Sequence, residues 1–217
     1  MNKISSVYYH VGEWIIHLFI LNLLWIGFSL AGMIVAGVFP ATAALFSVMR
    51  KLIMVPDEVH SVPKLFWNSY KNDFIRSNGL GYFSLLIGLL LFFDYQILKQ
   101  LGNTPFHQSA TIILYIIIFF YLMINMYLFP LFAHFHLGIL GYVKYALILA
   151  IAKPLQTLLL LLGLAAILYL YVKWPGLIPI LGVSTFAWLI MKITSFSLQD
   201  MKEKVPLSDR SEKHEKH

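Results

Sequence analysis

The sequence contains no cysteine. That excludes disulfides, a thiol nucleophile and any cysteine-based metal centre. Charge is scarce as well. Asp, Glu, Lys and Arg make up 12% of the 217 residues, against about 25% in a soluble domain. Catalytic signatures are also missing. There is no HExxH, no GxSxG and no phosphate-binding P-loop, and no Ser–His–Asp set can be assembled. The stretch GLGYFS at Gly79 lacks the third glycine of a dinucleotide loop and opens an apolar run. The residues thus point away from an enzyme and from a self-powered pump, and they imply no cofactor.

Apolar residues fill the space that charge leaves. They form 59% of the chain, which marks an all-α, multi-pass membrane protein. Lipid offers the backbone no hydrogen-bond partner, so apolar runs of this length must be helices. The short alternating strands of a β-barrel are lacking. Five runs match the length of a tilted spanning helix: about 14–38, 79–98, 110–133, 154–172 and 176–196. Together they define a membrane domain over 1–198, followed by a charged, disordered tail over 199–217. The N-terminus carries only Lys3 ahead of Glu13. The apolar run that follows is far longer than the about 7–15 residues of a cleaved signal, so it reads as a retained anchor.

Sixteen basic residues against ten acidic ones give a net charge of +6. With five crossings, 3 of the basic residues fall on one side and 13 on the other. The positive-inside rule then predicts an outside N-terminus and a cytoplasmic C-terminus. The basic excess is explained by the membrane, without nucleic acid.

From Trp14 to Met49 no charged residue occurs. Thirty-six residues of helix would be about 54 Å long, too long for a hydrocarbon core of about 30 Å. Gly37 and Pro40 mark the expected break, since proline suits a helix start and not an interior. A second helix is expected over about 40–54, at the inner mouth or the interface, with Arg50 and Lys51 at its end. Another follows over about 62–76, where Phe66, Trp67, Tyr70 and Phe74 share one face and Lys71 flanks it. This aromatic–basic helix has two readings. One is a helix in anionic headgroups; the other is a docking platform for a partner protein, built with Arg50 and Lys51. A short helix between Gly141 and Lys153 would run back toward the membrane.

Four polar residues fall within the spans: His17, Asn22, Asp94 and Asn125. Intramembrane amides commonly bond neighbouring helices. Asp94 lies near a span end just before Lys99, as an interfacial acid would; the other reading is a cation or proton site. His17 lies within two turns of a surface. His134 and His136 have the wrong spacing for a helical metal pair, and His214 and His217 lie in the charged tail. No metal site is expected. Gly27, Ala31, Gly32, Ala36 and Gly37 allow close approach, either within the chain or to a second copy.

Several of these stretches are similar to one known family. Asn22–Trp25 (NLLW), Pro40–Ala44 (PATAA), the Arg50–Lys51 pair and the aromatic series from Phe66 to Phe74 resemble the opening pattern of the YesL family of small bacterial membrane proteins. Tyr70 stands where the family often has Phe, and His134 where it usually has Arg. The resemblance covers the first 80 residues well and the rest in outline. It implies no established enzymatic activity. It also implies genes lying among those for carbohydrate ABC importers, and hence an accessory role beside importer permeases and their ATPase. The stretch His134–Pro154 lacks the Glu-Ala-Ala and Gly pattern of an importer permease. The alternative reading is a stand-alone or oligomeric transporter, using Asn22, Asn125 and Asp94 along one polar path. The two readings differ in whether those residues share a face.

Overall fold

The computed structural model describes residues 3–100 and 104–202, with side chains over 12–100 and 104–195. The described residues form α-helices, short 3-10 turns and connections, without a strand. Five helical segments are long and apolar enough to cross a membrane: Gly12–Ala31, Phe74–Gln100, Pro105–His134, Pro154–Lys173 and Pro175–Ser195. The expected all-α bundle with five spans is therefore what forms.

Helix α1 covers Lys3–Ala31 and ends before the expected 38. The break falls over residues 32–37 and not at Pro40. Gly32 and Gly37 lie backbone to backbone: a Cβ on Gly32 would sit 2.3 Å from the Gly37 Cα. Between them Met33 (φ 55°) and Ile34 (φ 65°) adopt the left-handed conformation, which is costly for a β-branched side chain. Two side chains from the next long helix hold this turn. Asn78 Nδ2 donates to Ala36 O at 3.0 Å, and the Tyr82 hydroxyl donates to Val35 O at 2.8 Å.

Helix α2, Val38–Met54, starts with Gly37 as its N-cap. Pro40 is its third residue, where a missing N–H costs nothing. The helix packs against α1 as a hairpin, tied by Trp25 Nε1 donating to Thr42 Oγ1 at 3.0 Å. Ala41, Ala44, Leu45 and Met49 are fully buried, and it touches α1, α5 (Pro105–His134), α8 (Ile178–Lys202) and the two helices that follow it. Its Ala-rich first half lets these neighbours approach closely. One flank meets Leu21, Phe66, Ala187 and Met191; Ala43, on another, meets Leu80, Leu128 and Leu131. Helix α2 thus joins the two cores of the molecule.

Helix α3, Val62–Asn72, stops at Asp73 (φ −100°, ψ 9°), and α4 begins at Phe74 and runs to Gln100. The helix expected over 62–76 is therefore split, and Phe74 belongs to the spanning helix. Helix α5 (Pro105–His134) is capped by Thr104, whose side chain accepts from His107 N. Helix α6 (Ile139–Ala152) folds back on α5, and Pro154 opens α7 (Pro154–Lys173). Helix α8 (Ile178–Lys202) is kinked at Gly182. The last residues of the expected tail lie outside the described residues.

Candidate functional site

The intramembrane amides occupy separate places. Asn22 is buried in α1 against the kink of α8. The kink breaks the helical ladder, leaving carbonyls and an N–H without helical partners. Asn22 Nδ2 donates to Pro179 O at 2.8 Å and Ile178 O at 3.3 Å. Its Oδ1 accepts from Val183 N at 3.0 Å. The Tyr171 hydroxyl donates to Gly182 O at 3.1 Å from the α7 side. Two side chains thus satisfy the broken turn, as a membrane interior demands. Gly182 leaves room for this: a Cβ there would lie 3.1 Å from Asn22 Oδ1.

Asn125 works at another interface, between α4 and α5. Its Oδ1 accepts from Ser84 Oγ at 2.5 Å, and its Nδ2 donates to Tyr121 O at 2.8 Å. The Tyr121 hydroxyl donates to Ser84 O at 3.0 Å, in the space left by Gly88. An apolar groove of about 270 Å³ runs beside this cluster, walled by Phe83, Ile87, Leu91, Ile117 and Phe120. Asp94 is exposed toward the far end of α4, in a shallow recess with Ile97, Ala110 and Ile113. His17 is half-buried on α1. Among the described residues Asn22, Asn125 and Asp94 share no hydrogen bond, and they lie at separate places: Asn22 between α1 and α8, Asn125 between α4 and α5, and Asp94 toward the end of α4.

The aromatic–basic residues divide into an inner and an outer set. Phe66 is fully buried and Tyr70 nearly so. Both pack on Phe28 of α1, with ring centroids 5.3 and 5.0 Å away. The Tyr70 hydroxyl donates to Phe28 O at 3.3 Å, and burial raises the Tyr70 pKa above its usual value. Phe74 stands edge-on to Tyr70 at 5.5 Å and is half-buried. Phe66 and Tyr70 are thus consumed by the α1–α3 contact. Trp67, 48% exposed, and the exposed Lys71 face outward. Arg50 and Lys51 are half-buried on α2, and burial lowers the Arg50 pKa from its usual value. Arg76 contacts His136 and lies 5.8 Å from the Phe132 ring centroid, joining α4 to the end of α5. His134 Nδ1 lies 2.9 Å from Pro130 O within α5. No group of three His, Asp or Glu suited to a metal occurs among the described residues.

Sequence reasoning did not single out Phe28, Asn78, Tyr82, Ser84 or Tyr121. Gly88 is the one-dimensional trace of one of these contacts, because it marks where the Tyr121 hydroxyl comes close.

A family model described as "Protein of unknown function, DUF624" matches residues 18–95, which run from α1 through the hub helix α2 and most of α4. "Uncharacterized protein YteU" of Bacillus subtilis (strain 168) is 40% identical over 184 residues, covering 83% of this chain and 80% of the relative. The chain belongs to the DUF624 family. A second relative from the same organism, "Uncharacterized protein YesV", is 35% identical over 79% of this chain and 81% of its own length. "Uncharacterized protein YesL" is 28% identical over 94% and 95%. No solved structure matches the chain. The motif residues Asn22–Trp25, Pro40–Ala44 and Phe66–Phe74 all fall inside the matched segment, and Leu24, Trp25, Ala41, Ala44, Phe66 and Tyr70 among them pack into one core.

Proposed function

We propose that this protein is a non-catalytic accessory subunit of a larger membrane assembly. It acts by binding laterally to that assembly and stabilising, assembling or regulating it. The observation that carries this reading is the fate of the intramembrane polar groups. Asn22 is spent on the α8 kink and Asn125 on the α4–α5 contact, while Asp94 stands apart at a surface. A transporter built from these residues would need them along one route. Dispersed and already bonded, they serve as helix–helix ties.

The spans supply the binding surface. Helices α4 and α5 present bulky apolar side chains along much of their length, including Leu89, Phe93, Ile116 and Phe119. In this reading they meet the spans of a partner. The permeases and ATPase of a carbohydrate ABC importer in a bacterial plasma membrane are the partner that the YesL-family resemblance implies. Photoreactive side chains at Ile116 and Phe119 test the reading in native membranes. Adducts with an importer permease support it. Adducts with lipid alone would count against a lateral partner, and adducts with the chain's own copies would favour an oligomer.

A further inference from the structure

We propose that the outer face of α3 is a binding surface for anionic lipid headgroups, holding the start of α4 at the membrane surface. The sequence leaves two readings of this helix open, a headgroup helix and a protein-docking platform, and the structure favours the first. Phe66 and Tyr70 point inward onto Phe28, so the outward face carries no apolar stripe for a protein groove. What remains outward is Lys64, Trp67, Asn68 and Lys71, all exposed. Helix α3 has no acidic residue. Neither Lys64 nor Lys71 makes an ion pair among the described residues.

Trp67 adds a second observation. Its ring is pinned from within, 5.5 Å from Phe28 and 6.2 Å from Tyr70. Yet 48% of the residue is exposed, and no described residue accepts its indole N–H. An aromatic with an apolar body anchored in protein and a free polar edge suits the headgroup zone. Position agrees. Asp73 alone separates α3 from the spanning helix α4. A basic segment directly beside a span is placed to meet an anionic leaflet. Charge complementarity therefore selects phosphate-bearing anionic lipid as the occupant.

The absence of cysteine supplies the test. Asn68→Cys gives the full-length protein a single thiol on this exposed face, for one fluorescent label. The protein is reconstituted in nanodiscs of phosphatidylcholine, with or without phosphatidylglycerol. Quenching by neutral, water-borne acrylamide reports how far the label is shielded. The expected result is stronger shielding in the anionic discs, weakened by added salt. Shielding should fall about fivefold in population for each lysine neutralised, in Lys64→Gln and Lys71→Gln. Charge reversal in Lys64→Glu with Lys71→Glu should abolish it. If that variant does not fold, the glutamine pair decides. Equal quenching in both kinds of disc would overturn the proposal. So would shielding that survives loss of both lysines, because apolar contact would then suffice. Shielding found only in native membranes would assign the face to an acidic protein surface, and that too would overturn it.

Discussion

Replacing Asn22 by Leu should loosen the α1–α8 contact by a defined amount. Leucine keeps the branch at Cγ, so the loss is of bonding and not of bulk. Asn22 makes two short bonds to α8, 2.8 Å to Pro179 O and 3.0 Å from Val183 N. Interhelical bonds in membranes contribute about 0.6 kcal/mol on average and up to about 1.7. Buried backbone groups left unpaired at the kink add a desolvation cost of about 1–3 kcal/mol. The expected loss is thus about 2–4 kcal/mol. For a chain of this length each kcal/mol moves Tm by about 2–4 °C, giving a drop of about 4–16 °C. Intrinsic tryptophan fluorescence during heating in mild detergent reads this, since Trp14, Trp25 and Trp188 pack against the same core. A shift below about 1 °C would refute the reasoning, because the kink would then satisfy its own backbone.

Asn125→Leu removes one interhelical bond, from Ser84 Oγ, and should cost about half as much in the same melt, roughly 1–2 kcal/mol. Alanine at Gly32 or Gly37 would bring a Cβ within 2.3 or 2.5 Å of backbone atoms. Either variant should lose monodispersity on size exclusion, whereas Gly27→Ala, with nothing within 4 Å, should be neutral or gain up to about 1 kcal/mol. Ile34→Gly relieves a left-handed β-branched residue and should raise Tm by up to about 4 °C; the same change at Ile16, in helical backbone, should lower it. Burial raises the Tyr70 pKa, so the folded state holds that proton more tightly than the unfolded one. Its contribution is complete below the ordinary tyrosine range and is lost as pH rises through about 10 and above. Tyr70→Phe should flatten that alkaline loss in Tm–pH profiles.

The five spans are legible because length and missing charge are one-dimensional properties. Their boundaries are less so where tertiary contacts decide. The end of α1 depends on Gly32 meeting Gly37 and on Asn78 and Tyr82 reaching over from α4. Those partners lie 42 and 47 positions away. The Arg50–Lys51 pair makes α2 look interfacial, yet Ala41, Ala43 and Ala44 report its enclosure. Helical spacing continues from Phe66 through Tyr70 to Phe74, which hides the interruption at Asp73. Spacing also shows which residues share a face without showing which way it turns, so Phe66 and Tyr70 read equally as platform or core. Both amides bond a neighbouring helix, and the target of Asn22 is a kink more than 150 residues away.

Purification of the tagged protein from its native membrane in mild detergent, with mass spectrometry of what accompanies it, tests the accessory role most directly. The account predicts importer permeases and their ATPase at near-stoichiometric yield. Recovery of the chain alone, or only with copies of itself, would contradict an accessory subunit and favour an independent transporter.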